Sequence, residues 1–164
     1  MVMKRVVLQT GISFLLLFMM GAGCTKDGEE WVQVDSLIPD AQLSSQLNST
    51  FTENNACLLN FQKDTVFHVI YNKKELAEIN ICNTIPDVDF DKCTLIVGKI
   101  MVSSISDNIS EIILTSNDNK AIYNIEISIF EPDGRYGAIG NLFFWRIFPR
   151  LKSGYDFKLL VTNH

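Results

Sequence analysis

Residues 121–130, AIYNIEISIF, carry the clearest structural signal in this chain. Their apolar and polar side chains alternate, with Tyr123, Ile125, Ile127 and Ile129 in one set and Asn124, Glu126 and Ser128 in the other. Successive side chains of a β-strand point to opposite faces of its sheet. This period of two therefore predicts a strand with one buried face and one solvated face.

Turn residues separate this segment from similar segments on both sides. Asn117-Asp118-Asn119 precede it and Pro132-Asp133-Gly134 follow it, and these residue types favour tight turns. Further segments rich in β-branched, aromatic and apolar residues lie at 65–71, 94–102, 111–115, 142–148 and 155–162. The pattern predicts a mainly β (β-rich α+β) domain: an antiparallel meander of at least five strands, forming a barrel-like or sandwich domain.

One short helix is predicted to begin after Asn72, between the first two of these strands. Asn72 is a favourable N-cap residue, and Glu75, three residues later, completes a capping box. Apolar residues at helical spacing follow. Further upstream the pattern is ambiguous, because residues 31–34 alternate like a short strand and residues 40–55 are typical of a loop or a weak helix.

The amino-terminal residues are organised like an export signal. Lys4 and Arg5 are followed by an apolar run at residues 6–20, then by small residues at 21–23 and by Cys24. A membrane-spanning helix needs roughly 20 apolar residues, so this shorter run predicts a cleaved signal. The segment resembles a bacterial lipoprotein signal, which implies that the Cys24 thiol is lipidated and becomes the new N-terminus. An ordinary secretory signal that leaves an unlipidated protein is the alternative.

The signal sets the expected domain organisation. We predict a lipoprotein signal peptide at 1–23, a tether and poorly defined N-terminal segment at 24–56, and a single β-rich domain at 57–164. Residues 25–30, TKDGEE, have a lysine followed by acidic residues and resemble the export signal of Bacteroidota surface lipoproteins. The alternative is a solvated linker that carries no localisation signal. The resemblance implies an outer membrane lipoprotein at the cell surface, held on the membrane by the lipid on Cys24. A periplasm-facing orientation with the same anchor is the alternative.

The charge of the chain disfavours one class of partner. The sequence has 14 basic and 19 acidic side chains, a formal net charge of −5. Removing residues 1–23 takes away two basic residues and leaves 12 against 19, a balance of −7. Since no basic stripe or arginine cluster remains, nucleic-acid binding is not expected.

Three cysteines lie beyond the signal, at Cys57, Cys82 and Cys93. An exported protein can hold a disulfide, and Cys82 with Cys93 would close the shortest loop. The other interpretation is that all three are small buried hydrophobes with free thiols. No C-x-x-C pair is present, so zinc and thioredoxin-like chemistry are poorly supported.

The run Asp87-Val88-Asp89-Phe90-Asp91 has alternate carboxylates, like the start of a calcium-binding loop. An EF-hand loop also needs Gly at its sixth position and Glu at its twelfth, where this chain has Lys92 and Gly98. We therefore expect no metal site. The run is interpreted as a solvated loop that leads into a strand, with Phe90 packed inward.

Catalysis is not predicted for this chain. His68 is the candidate histidine, because His164 is the terminal residue of the sequence. No Ser-His-Asp arrangement, G-x-S-x-G elbow or phosphate-binding loop occurs. We predict a protein that is not an enzyme, with no catalytic residues and no cofactor. A cell-envelope hydrolase that uses Cys57 and His68 is a third option for the function.

Aromatic residues concentrate in residues 143–148, FFWRIF. A strand that is apolar on both faces is typical of a central strand, so we interpret these side chains as core. Rings that stack on sugars are the alternative, and the candidates for such a glycan-binding platform are Trp145, Tyr136 and Trp31. The candidate contact for a protein partner is the loop at 131–140, with Arg135 and Tyr136 near its tip.

A strand, a helix that opens with Asn72-Lys73-Lys74-Glu75-Leu76, and the run VDFDK at 88–92 leading into TLIVG at 94–98 follow one another. This order is similar to that of small Bacteroidota lipoproteins of unknown function. More distantly, it resembles the C-terminal domain of PrcB-type proteins, lipoproteins that stabilise a surface protease complex. With the lipid signal, the resemblance implies a non-enzymatic envelope protein that binds or stabilises a protein partner. A glycan-binding accessory lipoprotein is the alternative.

Overall fold

The computed structural model of the protein describes residues 30–53, 65–80, 85–133 and 137–164. The chain divides into compact units at residues 1–30 and 31–164, and the described elements belong to the second unit. The strands are β1 (Val32–Val34), β2 (Thr65–Ile70), β3 (Cys93–Val102), β4 (Asn108–Asn117), β5 (Ile122–Phe130), β6 (Gly140–Pro149) and β7 (Asp156–Asn163). The helices are α1 (Ala41–Asn48), which a π-helical turn at Ser49–Glu53 continues, and α2 (Lys73–Ile79). None of these helices is long and apolar enough to cross a lipid bilayer.

The strands form two sheets. The four-stranded sheet has the order β1-β4-β5-β7, and the three-stranded sheet has the order β2-β3-β6. All paired strands are antiparallel except β5 and β7, which run parallel with Tyr123 opposite Phe157. The fold is therefore a β-rich α+β sandwich, as the sequence predicts, and the sandwich is the observed form of the two expected.

The predicted antiparallel meander is wrong, because the chain crosses between the two sheets after β3, after β5 and after β6. After β6, which pairs with β3, the chain crosses to the other sheet, where β7 lies parallel to β5. β6 is apolar on both faces: Phe144 packs between the sheets and Ile147 packs toward the helices. Such a strand needs a sheet that is covered on both sides. β7 alternates, with Leu159 packed inward and Leu160 exposed, so it suits the outer sheet.

β3 lies at the centre of three layers. One face of β3, including Ile96, packs against Ile125 and other residues of the four-stranded sheet. The other face, including Leu95, packs against the helical layer, where Leu47 and Phe51 are fully buried. Met101 is the one exposed residue of this ten-residue strand. The three-stranded sheet is therefore the middle layer, between the helices and the four-stranded sheet.

The folded unit begins at Trp31, upstream of the boundary at residue 57 that the sequence predicts. β1 extends the edge of the four-stranded sheet, with Gln33 opposite Thr115. Asp40 is the N-cap of α1, and its carboxylate accepts a hydrogen bond from the Leu43 N–H at 2.8 Å. The sequence left α1 ambiguous because residues 40–50 are mostly polar. Leu47 is the one residue of α1 that is buried, so the segment has little of the apolar periodicity that predicts a helix.

The predicted helix after Asn72 is confirmed as α2. The Asn72 side-chain oxygen accepts from the Glu75 N–H at 2.9 Å, which is the N-cap bond that the sequence predicts. The Glu75 carboxylate reaches back one residue further than expected and accepts from the Tyr71 N–H at 2.7 Å. These bonds fix the start of the helix, and Leu76 is then fully buried in the helical layer.

Candidate functional site

The main candidate site is a cleft at the end of the sandwich where β3, β5 and β7 terminate, which we call the open-end cleft. Its volume is about 530 Å³, a size found in small-ligand and side-chain binding clefts. Apolar side chains of three strands form its walls, including Ile100, Ile129 and Val161. Thr65, Glu131 and the buried Asp107 provide polar groups in its lining. The cleft is therefore mainly apolar, with a few polar groups.

Three large apolar side chains are exposed beside this cleft, and we call them the apolar rim. Met101, Ile105 and Ile139 are 43%, 64% and 75% exposed. Ile105 and Ile139 are close to Gly140: a Cβ atom at residue 140 would lie 3.4 Å from Ile105, and Ile139 is its neighbour in the chain. Met101 is at the same end of the sheet, paired with Asn141, on the face of β3 opposite to Val102. Single exposed apolar residues are common on protein surfaces, whereas clusters of them mark binding surfaces.

A hydrogen-bonded turn holds Ile105 in this exposed position. The Asp107 carboxylate accepts from the Ser104 N–H at 3.0 Å, and the Asp107 N–H donates to the Ser104 carbonyl at 3.2 Å. The Ser104 hydroxyl also accepts from the Ser106 N–H at 3.2 Å. Ser104 and Asp107 are buried, so the turn is fixed at both ends. Ile105, between them, is left on the solvent side.

The loop at 131–140 leaves β5 beside the open-end cleft. The Glu131 N–H donates to the His164 carbonyl at 3.0 Å, and the His164 N–H donates to the Ile129 carbonyl at 3.0 Å. Glu131 and Ile139, near the two ends of the loop, both line the cleft. The predicted partner-contact residues of this loop, Arg135 and Tyr136, lie outside the described residues.

A second cleft, of about 610 Å³, lies at the opposite end of the sandwich, where β3 begins. Asp87 accepts from the Lys73 ammonium at 2.9 Å, and Asp89 from the Lys92 ammonium at 2.8 Å. The hydrogen bond from Lys92 lowers the pKa of Asp89. The hydrogen bond to Asp87 likewise raises the pKa of Lys73. These carboxylates are thus engaged by lysines, as expected for a surface loop.

The backbone of this second cleft is held from within. The Arg150 guanidinium donates to the Phe90 carbonyl and, at 3.5 Å, to the Tyr71 carbonyl, while the Arg150 N–H donates to the Lys92 carbonyl at 3.0 Å. Phe90 is buried, which confirms that it packs inward. In the described part of the chain, no group of three or more His, Cys, Asp and Glu side chains is arranged to hold a metal ion.

The aromatic side chains of β6 pack in the core as the sequence predicts, but the expectation of a central strand is wrong, because β6 is an edge strand of its sheet. Phe144 and Phe148 are buried between the sheets, and Trp145 packs partly buried against the helical layer. The Trp145 indole N–H donates to the Asn48 side-chain oxygen at 2.9 Å, which ties β6 to the end of α1. Trp31 is also partly buried, and Tyr136 lies outside the described residues.

Arg146 lies between the two sheets at the edge strand β6, opposite Ile96 of β3. It borders a third recess of about 240 Å³, which we call the side groove and which is also lined by Ile109, Ile112 and Phe144. The Arg146 guanidinium donates to the Trp145 carbonyl at 2.9 Å. Burial lowers the pKa of this guanidinium. None of the ion pairs between described residues includes it.

The residues considered for nucleophilic chemistry are not brought together in the described part of the chain. His68 lies in β2 opposite Val97, partly buried, and burial lowers its pKa. Cys57 and Cys82, like Cys24, lie outside the described residues. Cys93 is buried with a free thiol that donates to the Asp89 carbonyl at 3.0 Å, and burial raises its pKa. For Cys93 this matches the buried-thiol interpretation.

The sequence did not predict the apolar rim or the side groove. One local signal for the rim exists in the run Ser103-Ser104-Ile105-Ser106-Asp107, where a single isoleucine lies among turn-forming residues. Arg146 also interrupts an otherwise apolar run. Neither signal predicts which residues lie beside Ile105 and Arg146, because those residues come from distant parts of the chain.

Comparison of the chain with protein-family models, with curated proteins and with solved structures finds no match. The resemblance to PrcB-type and Bacteroidota lipoproteins stays a prediction from the sequence.

Proposed function

We propose that this protein is a non-enzymatic, lipid-anchored envelope protein that binds or stabilises a protein partner through the open-end cleft and its apolar rim. The observation that carries the proposal is the exposure of Ile105 and Ile139 beside Gly140, at the end of the sheet where Met101 is also exposed. Each Å² of apolar surface that a partner covers contributes roughly 25 cal/mol of favourable free energy. An apolar side chain of the partner that enters the cleft would add further contacts.

The combination of apolar and polar groups at the cleft supports a protein partner. Protein interfaces have an apolar centre and a polar periphery, and a few buried anchors supply most of their binding energy. Ile105 and Ile139 would form such a centre, with Thr65, Glu131 and Asn163 around it. The loop at 131–140 adjoins the same cleft, so Arg135 and Tyr136 remain the proposed additional contacts.

The lipid anchor supports the same assignment of the apolar rim. Acyl chains on Cys24 would hold the protein on the outer membrane, at the cell surface, without help from the folded domain. An exposed apolar cluster on that domain is then not needed for membrane attachment. The cluster would instead bind a protein partner, and a surface protease complex is one candidate for that partner.

Site-specific photo-crosslinking in intact cells tests the proposal. A photoreactive residue placed at Ile139 should give a discrete protein adduct, and the additional substitution Ile105→Asp should abolish that adduct. The matched control is Leu160 on β7, which is 54% exposed on the face of the strand opposite to Val161 and therefore points away from the cleft. The same photoreactive residue at position 160 should give no such adduct.

Two results would overturn the proposal. One is a set of adducts that is the same from positions 139 and 160. The other is an adduct from position 139 that Ile105→Asp leaves unchanged. Capture of polysaccharide in place of protein would favour the glycan-binding alternative.

A further inference from the structure

The side groove contains a charge that the described protein does not neutralise. Arg146 is paired with Ile96, whose side chain is in the core between the sheets. The Arg146 side chain therefore leaves β6 on the apolar face of the sheet. The guanidinium is about half buried, and its hydrogen bond is to the neighbouring Trp145 carbonyl. Removing a charged group from water is costly unless an opposite charge and hydrogen bonds compensate.

The guanidinium has donors left for a ligand. Arginine carries five N–H donors in a planar fork that matches the two oxygens of a carboxylate. The Trp145 carbonyl uses one of these donors. A partly desolvated arginine binds a carboxylate more strongly than a fully solvated one, since less water competes for its donors.

We propose that the side groove is a binding site for a carboxylate on a short apolar stem, held by Arg146 and supplied by an acidic side chain or chain terminus of a protein. This site is separate from the open-end cleft, and the inference does not rest on that cleft. The site would give the domain a second, charge-selective contact.

The shape of the groove selects this kind of ligand. Its volume of about 240 Å³ suits a group of side-chain size and is below the range of sites for larger small molecules. Ile109, Ile112 and Phe144 make its walls apolar on the side of the sheets, whereas Asn48 and Trp145 also line it. Methylene groups gain free energy against such walls, whereas the hydroxyl groups of a sugar acid would lose hydrogen bonds to water.

The experiment uses glutarate as the carboxylate probe and the full-length protein in detergent micelles. Its neutral diamide, glutaramide, has the same stem without the charge, and glucuronate represents a sugar acid. Ligand-observed saturation-transfer NMR and calorimetric titration should show saturable binding of glutarate by the wild type. Glutaramide should bind at least about tenfold more weakly, because it lacks the charge-assisted bonds.

Variants then assign the contact. Arg146→Gln should weaken glutarate binding by about tenfold or more, and Arg146→Lys should weaken it less, since lysine keeps the charge but not the fork. The matched control is Lys158→Gln, an exposed cation on β7 that does not line the groove, and it should bind glutarate as the wild type does.

The comparison of glutarate with glutaramide needs no variant, so it decides the matter even if Arg146→Gln does not fold. Equal binding of the two probes would overturn the carboxylate site, as would unchanged glutarate binding by a folded Arg146→Gln. Tighter binding of glucuronate than of glutarate would overturn the assignment to a protein carboxylate.

Discussion

The ring of Phe144 covers Gly98, its direct partner on the neighbouring strand, and fills the place that a side chain at residue 98 would take. A Cβ atom at residue 98 would collide with this ring and would lie 2.9 Å from the Val66 carbonyl oxygen. The glycine thus allows β2, β3 and β6 to meet over a buried aromatic ring. Glycine within a strand is often found where another group approaches closely.

Gly98→Ala should therefore destabilise the protein by about 1–3 kcal/mol, the usual cost of overpacking a well-packed core. Urea unfolding of the full-length protein measures the loss. The matched control is Gly137→Ala, because nothing lies within 4 Å of a Cβ atom built at Gly137. In a Phe144→Ala background the same Gly98→Ala change should cost less, and an equal cost in both backgrounds would contradict the packing explanation.

A second prediction concerns a buried hydrogen bond between β3 and the segment after β6. The Leu151 N–H donates to the Thr94 hydroxyl at 3.0 Å, and Thr94 is fully buried. Thr94→Val keeps the shape but leaves the Leu151 N–H without its acceptor, so we expect a loss of about 1–3 kcal/mol in unfolding free energy. Thr115→Val, on the solvent face of β4, should change stability by less than about 0.5 kcal/mol. Similar losses for both variants would show that the bond is not the cause.

His68 should make stability depend on pH. Burial lowers its pKa below the ordinary value of 6.5, so the folded state disfavours the charged imidazole. The stability that depends on a neutral His68 is fully present above pH 6.5 and is lost as the pH falls through the lower folded-state pKa. His68→Gln should consequently lose less stability than the wild type between about pH 7 and pH 5. His164→Gln should follow the wild type, and identical pH profiles for His68→Gln and the wild type would contradict the prediction.

The anchor prediction is tested by Cys24→Ser. This change removes the thiol that the lipid would occupy, so metabolic labelling with a clickable palmitate should give no labelled band. Cys57→Ser, the control, should remain labelled. Urea unfolding should be unchanged in Cys24→Ser, because residues 31–164 form their own compact unit. Equal labelling of the wild type and Cys24→Ser would disprove the lipoprotein assignment.

External protease then tests the orientation of the anchored domain. If the domain lies at the cell surface, protease added to intact cells should digest the palmitate-labelled protein. A labelled protein that resists digestion would be anchored on the periplasmic side.

Local signals in the sequence predicted local structure well. The alternation in residues 121–130 correctly assigns Tyr123, Ile125, Ile127 and Ile129 to the core of the sandwich. The N-cap bond of Asn72 is confirmed in the same way. Both features depend on residues within a few positions of one another, so strand and helix geometry determine them without knowledge of the rest of the fold.

The arrangement of the sheets and the sites depends on distant residues. No pattern within β7 itself shows that it runs parallel to β5, because its alternation would suit either direction. The open-end cleft is lined by residues that are spread along the chain from Thr65 to Asn163. The part of it that the sequence predicted is the loop at 131–140, because its Pro and Gly are local turn signals. Arg146 forms a candidate binding site only together with Ile109 and Ile112, which are on another strand.

The central position of β3 has a consequence for how the protein loses its structure. Leu95 on one face and Ile96 on the other belong to different cores, so pulling this strand out opens both at once. Neither core is separated from the other by a linker at which half of the fold could detach. Amide hydrogens of β3 should therefore exchange with deuterium only through global unfolding, at rates that match one another along the strand.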